Sequence, residues 1–243
     1  MNAVPLVTAH TGCMNTPDNS LLSIETGLAN GADIIEDDIR VTRDGVPVLS
    51  HDNEVRLADG SVGSLSQMTI SELNESLSIP IVKLEQALHL VRCAGKTMNL
   101  DLKTDDCLEP VSELVEQLGM IDRTFLSGCE VDRARKAKHS NSRLRKLLNV
   151  DASLFLARSY TEAVLQTLQD AESAGCFGIN VPYRLVESYL LEKAAEYGFQ
   201  IYIWTVDREE EMRLYAAMGV HSITTRNVAD LVRVKKEMLA EGS

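Results

Sequence analysis

The sequence predicts an α/β protein, a (β/α)8 TIM barrel, and three observations carry that expectation. Short β-branched apolar runs alternate with longer segments of 3.6-residue period along the whole chain. Glycines recur where the helical segments stop, at Gly31, Gly95, Gly119, Gly175, Gly198 and Gly219, which is where a left-handed C-cap is wanted. Every link between successive strands is long enough for a parallel crossover. A chain of 243 residues suits this fold as a single domain spanning 1–243. A doubly wound open sheet is the runner-up, but no GxGxxG follows the first strand and no P-loop pattern occurs.

VPLVTAH (4–10) reads as the first strand, followed by a polar loop and a helix over about 19–30 that stops at Gly31. DIIEDDIRVT (33–42) is the second strand. Asp44-Gly45 then makes a turn, and Pro47 suits the start of an edge segment that ends at His51-Asp52. The stretch 53–68 is polar and short, and a brief helix capped by Thr69 or Ser71 precedes Pro80. A helix near 84–94 leads to TMNLDLK (97–103), the third strand. A helix over 108–118 leads to TFLSG (124–128), the fourth.

The basic segment RARKAKHSNSRLRK (133–146) is read as helical with a solvated face, and it runs into LLNV (147–150) as the fifth strand. Helices over 161–174, 184–197 and 208–218 separate GCFGINV (175–181), QIYIWTV (200–206) and HSITT (221–225). An amphipathic helix over 228–240 closes the chain.

Composition narrows the function classes. A net charge of −12 opposes sequence-independent binding to nucleic acid or to an anionic membrane, both of which require a basic face. No apolar run approaches the roughly 18 residues that would span a bilayer, so stable membrane insertion is not expected. The N-terminus has no basic region followed by a long apolar run and is read as a strand, not a secretory signal. The five cysteines are widely spaced and never form CxxC, which fits a reducing cytoplasm better than a disulfide framework.

The stretch from Gly31 to Asp52 places acids inside core-like strand sequence. Side chains alternate along a strand, so Glu36 and Asp38 share one face, and Asp37 points the other way toward a helix or solvent. Buried carboxylates need a partner, and two so close suit a hard, oxygen-seeking cation such as Mg²⁺ or Ca²⁺. On the third strand Asn99, Asp101 and Lys103 share a face. In a barrel of this kind the site lies at the C-terminal ends of the strands, which brings His10, Glu36, Asp38, Asp101, Lys103 and Trp204 to one rim, with His51 beside them. No serine or cysteine sits in a nucleophile elbow. Carboxylates around a metal and two acid–base histidines suit a phosphoester.

Taken in order, these motifs resemble the glycerophosphodiester phosphodiesterase family over nearly the whole chain. His10-Thr11-Gly12 and Asp18-Asn19-Ser20 match the form of its opening His-Arg-Gly and Glu-Asn-Thr, and Gly31 to Asp52 matches its longest pattern almost fully. Ile79-Pro80 with Leu84-Glu85, then Asn99-Asp101-Lys103, Trp204 to Val206 and Gly219 to Ile223 follow in the family order. The resemblance implies that Glu36, Asp38 and Asp101 hold a divalent cation, Mg²⁺, Ca²⁺ or Mn²⁺. It also implies that His10 and His51 are the acid–base pair, that Lys103 lies near the phosphate, and that Trp204 lines the alcohol side. The substrate's own glycerol hydroxyl would help attack phosphorus.

The implied reaction is hydrolysis of a small-molecule glycerophosphodiester to glycerol 3-phosphate and an alcohol. Thr11 stands where the family usually has arginine, and threonine supplies no charge-assisted bidentate contact to phosphate. Arg40 and Lys103 are the sequence's candidates to compensate. The alternative reading is a catalytically weak ligand-binding barrel, or a phosphodiesterase for a different small diester.

Overall fold

The computed structural model describes residues 4–241. Eight parallel strands close on themselves: β1 (Leu6–Ala9), β2 (Ile34–Val41), β6 (Thr97–Leu102), β7 (Thr124–Ser127), β8 (Arg145–Asn149), β9 (Gly178–Pro182), β10 (Gln200–Trp204) and β11 (Ser222–Thr225). Closure is made by β1, which pairs with β11 on one side (Ala9 opposite Thr225) and β2 on the other (Ala9 opposite Ile35). Between β2 and β6 lie β3 (Pro47–Leu49), which joins β2 as an antiparallel edge, and a separate hairpin of β4 (Glu54–Arg56) and β5 (Val62–Ser64).

The helices are α1 (Leu21–Ala29), α2 (Ile70–Ser76), α3 (Leu84–Cys93), α4 (Leu108–Gln117), α5 (Val131–Ser140), α6 (Ala152–Ala157), α7 (Tyr160–Ala174), α8 (Ser188–Glu196), α9 (Glu209–Met218) and α10 (Val228–Glu241). Their starts follow local chemistry. Ser20 Oγ accepts the Ser23 amide at 3.1 Å to open α1. Thr69, not Ser71, caps α2 in a reciprocal box with Glu72, and Ser159 and Glu162 do the same for α7.

Alternation along each strand sorts the side chains into an apolar shell under the helices and an interior with two layers. On β6, Met98, Leu100 and Leu102 are buried on the helix side, and Asn99 and Asp101 face inward. At the N-terminal end the interior is filled by Ile34, Phe125, Leu147 and Tyr202 with Phe177 against them. Phe125 meets Phe177 and Tyr202 edge-on at 5.5 and 5.4 Å between ring centroids, contacts worth about 0.5–1.5 kcal/mol each beyond their buried area. Two residues further along the same strands the inward positions become Glu36, Ser127, Asn149 and Trp204. The barrel thus has an apolar floor and a polar upper layer.

Some expectations are corrected. The basic segment is helical only to Ser140; Asn141 turns the chain, its Oδ1 accepting the Arg143 amide at 3.0 Å, and Arg145 already belongs to β8. The helix expected from 184 begins at Ser188 after a short 3-10 turn. Asp37 meets neither solvent nor a polar helix side chain. It is fully buried on the helix side of β2 with the Thr11 hydroxyl as a polar neighbour, and burial followed by the neighbouring Glu36 charge pushes its pKa well above the usual carboxylate range.

The closing seam is tied by one side chain. Asp33 Oδ2 accepts the Val7 amide at 3.0 Å and the Lys235 ammonium of α10 at 2.7 Å. Nearby, Arg213 of α9 and Arg233 of α10 share the Glu209 and Glu237 carboxylates.

Candidate functional site

The polar upper layer opens into a cavity of about 720 Å³ at the C-terminal end of the barrel. Every site residue read from the sequence lines it: His10, Thr11, Glu36, Asp38, His51, Asp101, Lys103 and Trp204. Register explains the meeting of the acids, because Asp38 on β2 stands opposite Asp101 on β6, and Glu36 opposite Asn99. Carboxylate oxygens of Glu36, Asp38 and Asp101 lie within 4.8 Å of one another.

Lys103 bridges two of these acids, its Nζ at 2.7 Å from Asp38 Oδ1 and 2.9 Å from Asp101 Oδ2. Burial works against its charge, yet Asp101 and then Asp38 hold its pKa above the usual lysine value. Glu36 has less support. Its Oε2 accepts the Thr11 amide at 3.2 Å, and burial pushes the carboxyl up to about 7, with His10 opposing and Asp38 and Asp101 adding to the rise. Asp101 is also raised, first by burial. Its Oδ1 and the Asn99 Oδ1 are buried without hydrogen-bond partners.

Three clustered carboxylates, one of them with an orphaned oxygen, make an all-oxygen donor set, which is compatible with a divalent cation. The metal-free protein will therefore lose stability as pH rises from about 4.5 to about 7, since the unfolded glutamate ionises near 4.5 and the folded Glu36 keeps its proton until about 7. Thermal melts in EDTA check this. Wild type should fall by several degrees relative to Glu36→Gln across that window, and parallel curves for the two proteins would refute it.

The two histidines are fixed differently. His10 Nδ1 lies 2.8 Å from the Thr11 carbonyl, and His51 Nδ1 lies 2.8 Å from Asp52 Oδ1. In the neutral rings both acceptors can only accept, so Nδ1 carries the proton and Nε2 is left bare in each. The His10 side chain is 23% exposed and that of His51 66%, so one imidazole sits in the wall and the other at the mouth. The Arg40 side chain does not reach the cavity lining; its Nε donates to the His51 carbonyl at 2.8 Å and steadies that segment. Trp204 is no core residue, since it ends β10 with 37% of its surface exposed in the cavity wall.

Two glycines make the close approaches here. At Gly12 (φ +74°) a Cβ would stand 1.9 Å from Asp18 Oδ1, and at Gly128 (φ +66°) 2.1 Å from Asp101 Oδ1. The loop after β7 is thereby laid directly against an acid of the cluster.

The glycerophosphoryl diester phosphodiesterase family model matches residues 10–230. The chain belongs to this family. A glycerophosphodiester phosphodiesterase of Caldanaerobacter subterraneus is 22% identical over 248 residues, covering 96% of this chain and 98% of that one. The solved structure of a glycerophosphodiester phosphodiesterase from Thermotoga maritima superposes with a TM-score of 0.76 at 20% identity, covering 96% of this chain and all of the other. An Oleispira antarctica phosphodiesterase, solved with its product sn-glycerol-3-phosphate, gives 0.79 at 18% identity over 96% and 97% of the two chains. The family is one of enzymes that hydrolyse glycerophosphodiesters, and its TIM barrel is the fold seen here. No helix among the described residues is long and apolar enough to cross a membrane.

Sequence reasoning missed part of the site. Arg133, assigned to a solvated face, lines the cavity and donates to the Leu102, Gly128 and Lys103 carbonyls and to Asp105. Asn149 and Asn180 sit opposite each other on β8 and β9, joined by a 3.3 Å hydrogen bond, and both line the cavity. Two asparagines at inward positions near strand ends were the available signal. The sequence assigned no role to Arg226, in the segment Thr225-Arg226-Asn227.

Proposed function

We propose that this chain is a metal-dependent glycerophosphodiester phosphodiesterase that releases glycerol 3-phosphate and an alcohol. The observation that carries the proposal is the convergence of the Glu36–Asp38–Asp101 cluster and two bare-Nε2 histidines on one cavity, with Lys103 between the acids. Glu36, Asp38 and Asp101 would hold the divalent cation, which when bound supplies a positive centre for a non-bridging phosphate oxygen.

The remaining steps belong to the side chains. One of His10 and His51 takes the proton of the attacking glycerol hydroxyl at Nε2, and the other, protonated there, delivers a proton to the departing alcohol; the cyclic glycerophosphate this leaves is opened to glycerol 3-phosphate by water, with the two histidines in exchanged roles. The Thr11 carbonyl and the Asp52 carboxylate keep each ring's Nδ1–H in place and so set which nitrogen meets the substrate. Lys103 bridges Asp38 and Asp101 and keeps the two carboxylates in register. Trp204 offers an apolar wall to the alcohol.

The test is release of glycerol 3-phosphate from glycerophosphocholine and glycerophosphoethanolamine in EDTA and with added Mg²⁺, Ca²⁺ or Mn²⁺. Metal-dependent release is expected. Asp38→Asn or Asp101→Asn should raise the metal concentration needed for half-maximal rate at least tenfold. Folded protein that releases nothing with any metal would turn the assignment to the ligand-binding barrel.

A further inference from the structure

An anionic diester entering this cavity meets a wall rich in acids: Asp18, Glu36, Asp38 and Asp101 all line it. Three cationic side chains among the described residues also line it, Lys103, Arg133 and Arg226. Lys103 is held by two carboxylates, and the Arg133 guanidinium is consumed by three carbonyls and Asp105. Thr11 adds nothing, since it is 2% exposed and its hydroxyl accepts the Asn19 amide at 2.6 Å.

Arg226 is placed differently. Its backbone is clamped on both sides, the amide donating to Asp207 Oδ1 at 2.8 Å and the carbonyl accepting from Met14 N at 2.8 Å. Its Nε donates to the Thr11 carbonyl at 3.2 Å, the same oxygen that receives His10 Nδ1, so guanidinium and imidazole stand side by side. Nη2 reaches Asp18 at a long 3.4 Å, and the side chain remains 47% exposed. This leaves Nη1 and part of Nη2 for a ligand beside His10.

We infer that Arg226, at the end of β11, is the guanidinium that receives the phosphate of the substrate, across the closing seam from a residue 11 that lacks one. The inference rests on the proposed function for its substrate. Arginine matches a phosphate's oxygens with two parallel N–H groups, and lysine supplies only a point charge.

The experiment compares wild type, Arg226→Ala and Arg226→Lys, with thermal melts to confirm that all are folded. KM and kcat are measured for glycerophosphocholine, and glycerol 3-phosphate binding is measured by calorimetry. Loss of the charged hydrogen bonds should weaken glycerol 3-phosphate binding and raise KM by about ten- to a hundredfold in Arg226→Ala, with Arg226→Lys between and kcat changing less. A merely structural role would lower the melting temperature and leave glycerol 3-phosphate affinity intact, and that result overturns the inference. Where wild type hydrolyses the diester and Arg226→Ala matches it in KM and affinity, the inference falls and the proposed function stands. Where wild type is inactive yet binds glycerol 3-phosphate through Arg226, the proposed function falls and the phosphate site stands. If wild type neither hydrolyses the diester nor binds glycerol 3-phosphate, both fall.

Discussion

His51→Ala and His10→Ala will each lower kcat for glycerophosphodiester hydrolysis by about 10²–10⁴-fold without a matching change in thermal stability. The two variants should nevertheless differ. His51 is mostly exposed and touches Asp52 and solvent, so its removal disturbs little else. His10 sits in the wall, with Glu36 3.9 Å from its Nδ1, and its charge opposes the rise of the Glu36 pKa. Removing it takes an imidazole from beside the acid cluster, so His10→Ala should also change the metal concentration needed for half-maximal rate, where the His51 variant should not. Steady-state kinetics with metal titrations at pH 6 and 8 separate the two effects. Unimpaired turnover in either variant would sink the acid–base assignment.

Gly128→Ala will cost about 1–3 kcal/mol of stability and at least tenfold in activity, though residue 128 carries no chemistry itself. The added methyl would face a positive φ and stand 2.1 Å from Asp101 Oδ1, which must turn aside, and 2.4 Å from the Leu102 carbonyl, which cannot yield without moving β6. Asp101 is the acid that Lys103 also grips, so displacement at 128 should reach Asp38 through that ammonium. The diagnostic is a metal requirement shifted together with kcat. A variant that is destabilised but has an unchanged metal requirement would show that the loop supports the fold alone.

The barrel was legible because its information is periodic. Alternation on 97–103 separated Asn99 and Asp101 from Met98, Leu100 and Leu102, and the structure keeps that division. The acid cluster was legible for a related reason, since carboxylates in an apolar run stand out against the cost of burying charge. Elements without a buried face left no such trace. Helix α6 buries none of its residues, and β4 and β5 are three residues each with no fully buried side chain. Alternation put Asp37 on the face away from Glu36 and Asp38, but its full burial there is a property of packing. Arg133 looked like ordinary surface charge until tertiary structure brought carbonyls to it, and nothing in the sequence assigned Arg226 a role until His10 was placed beside it.

The Asp33 latch gives the molecule a temporal order as well as a seam. The oxygen that holds Val7 also holds Lys235, a partner 202 positions further along the chain, and the β1–β11 pairing spans a similar distance. During synthesis β1 can pair with β2 as soon as both have emerged, but its other edge stays open until the last strand is made. For most of translation the acids of β2 and β6 therefore exist beside an unfinished wall, lacking Trp204 and Arg226. The full cavity arrives late, with the closing of the ring.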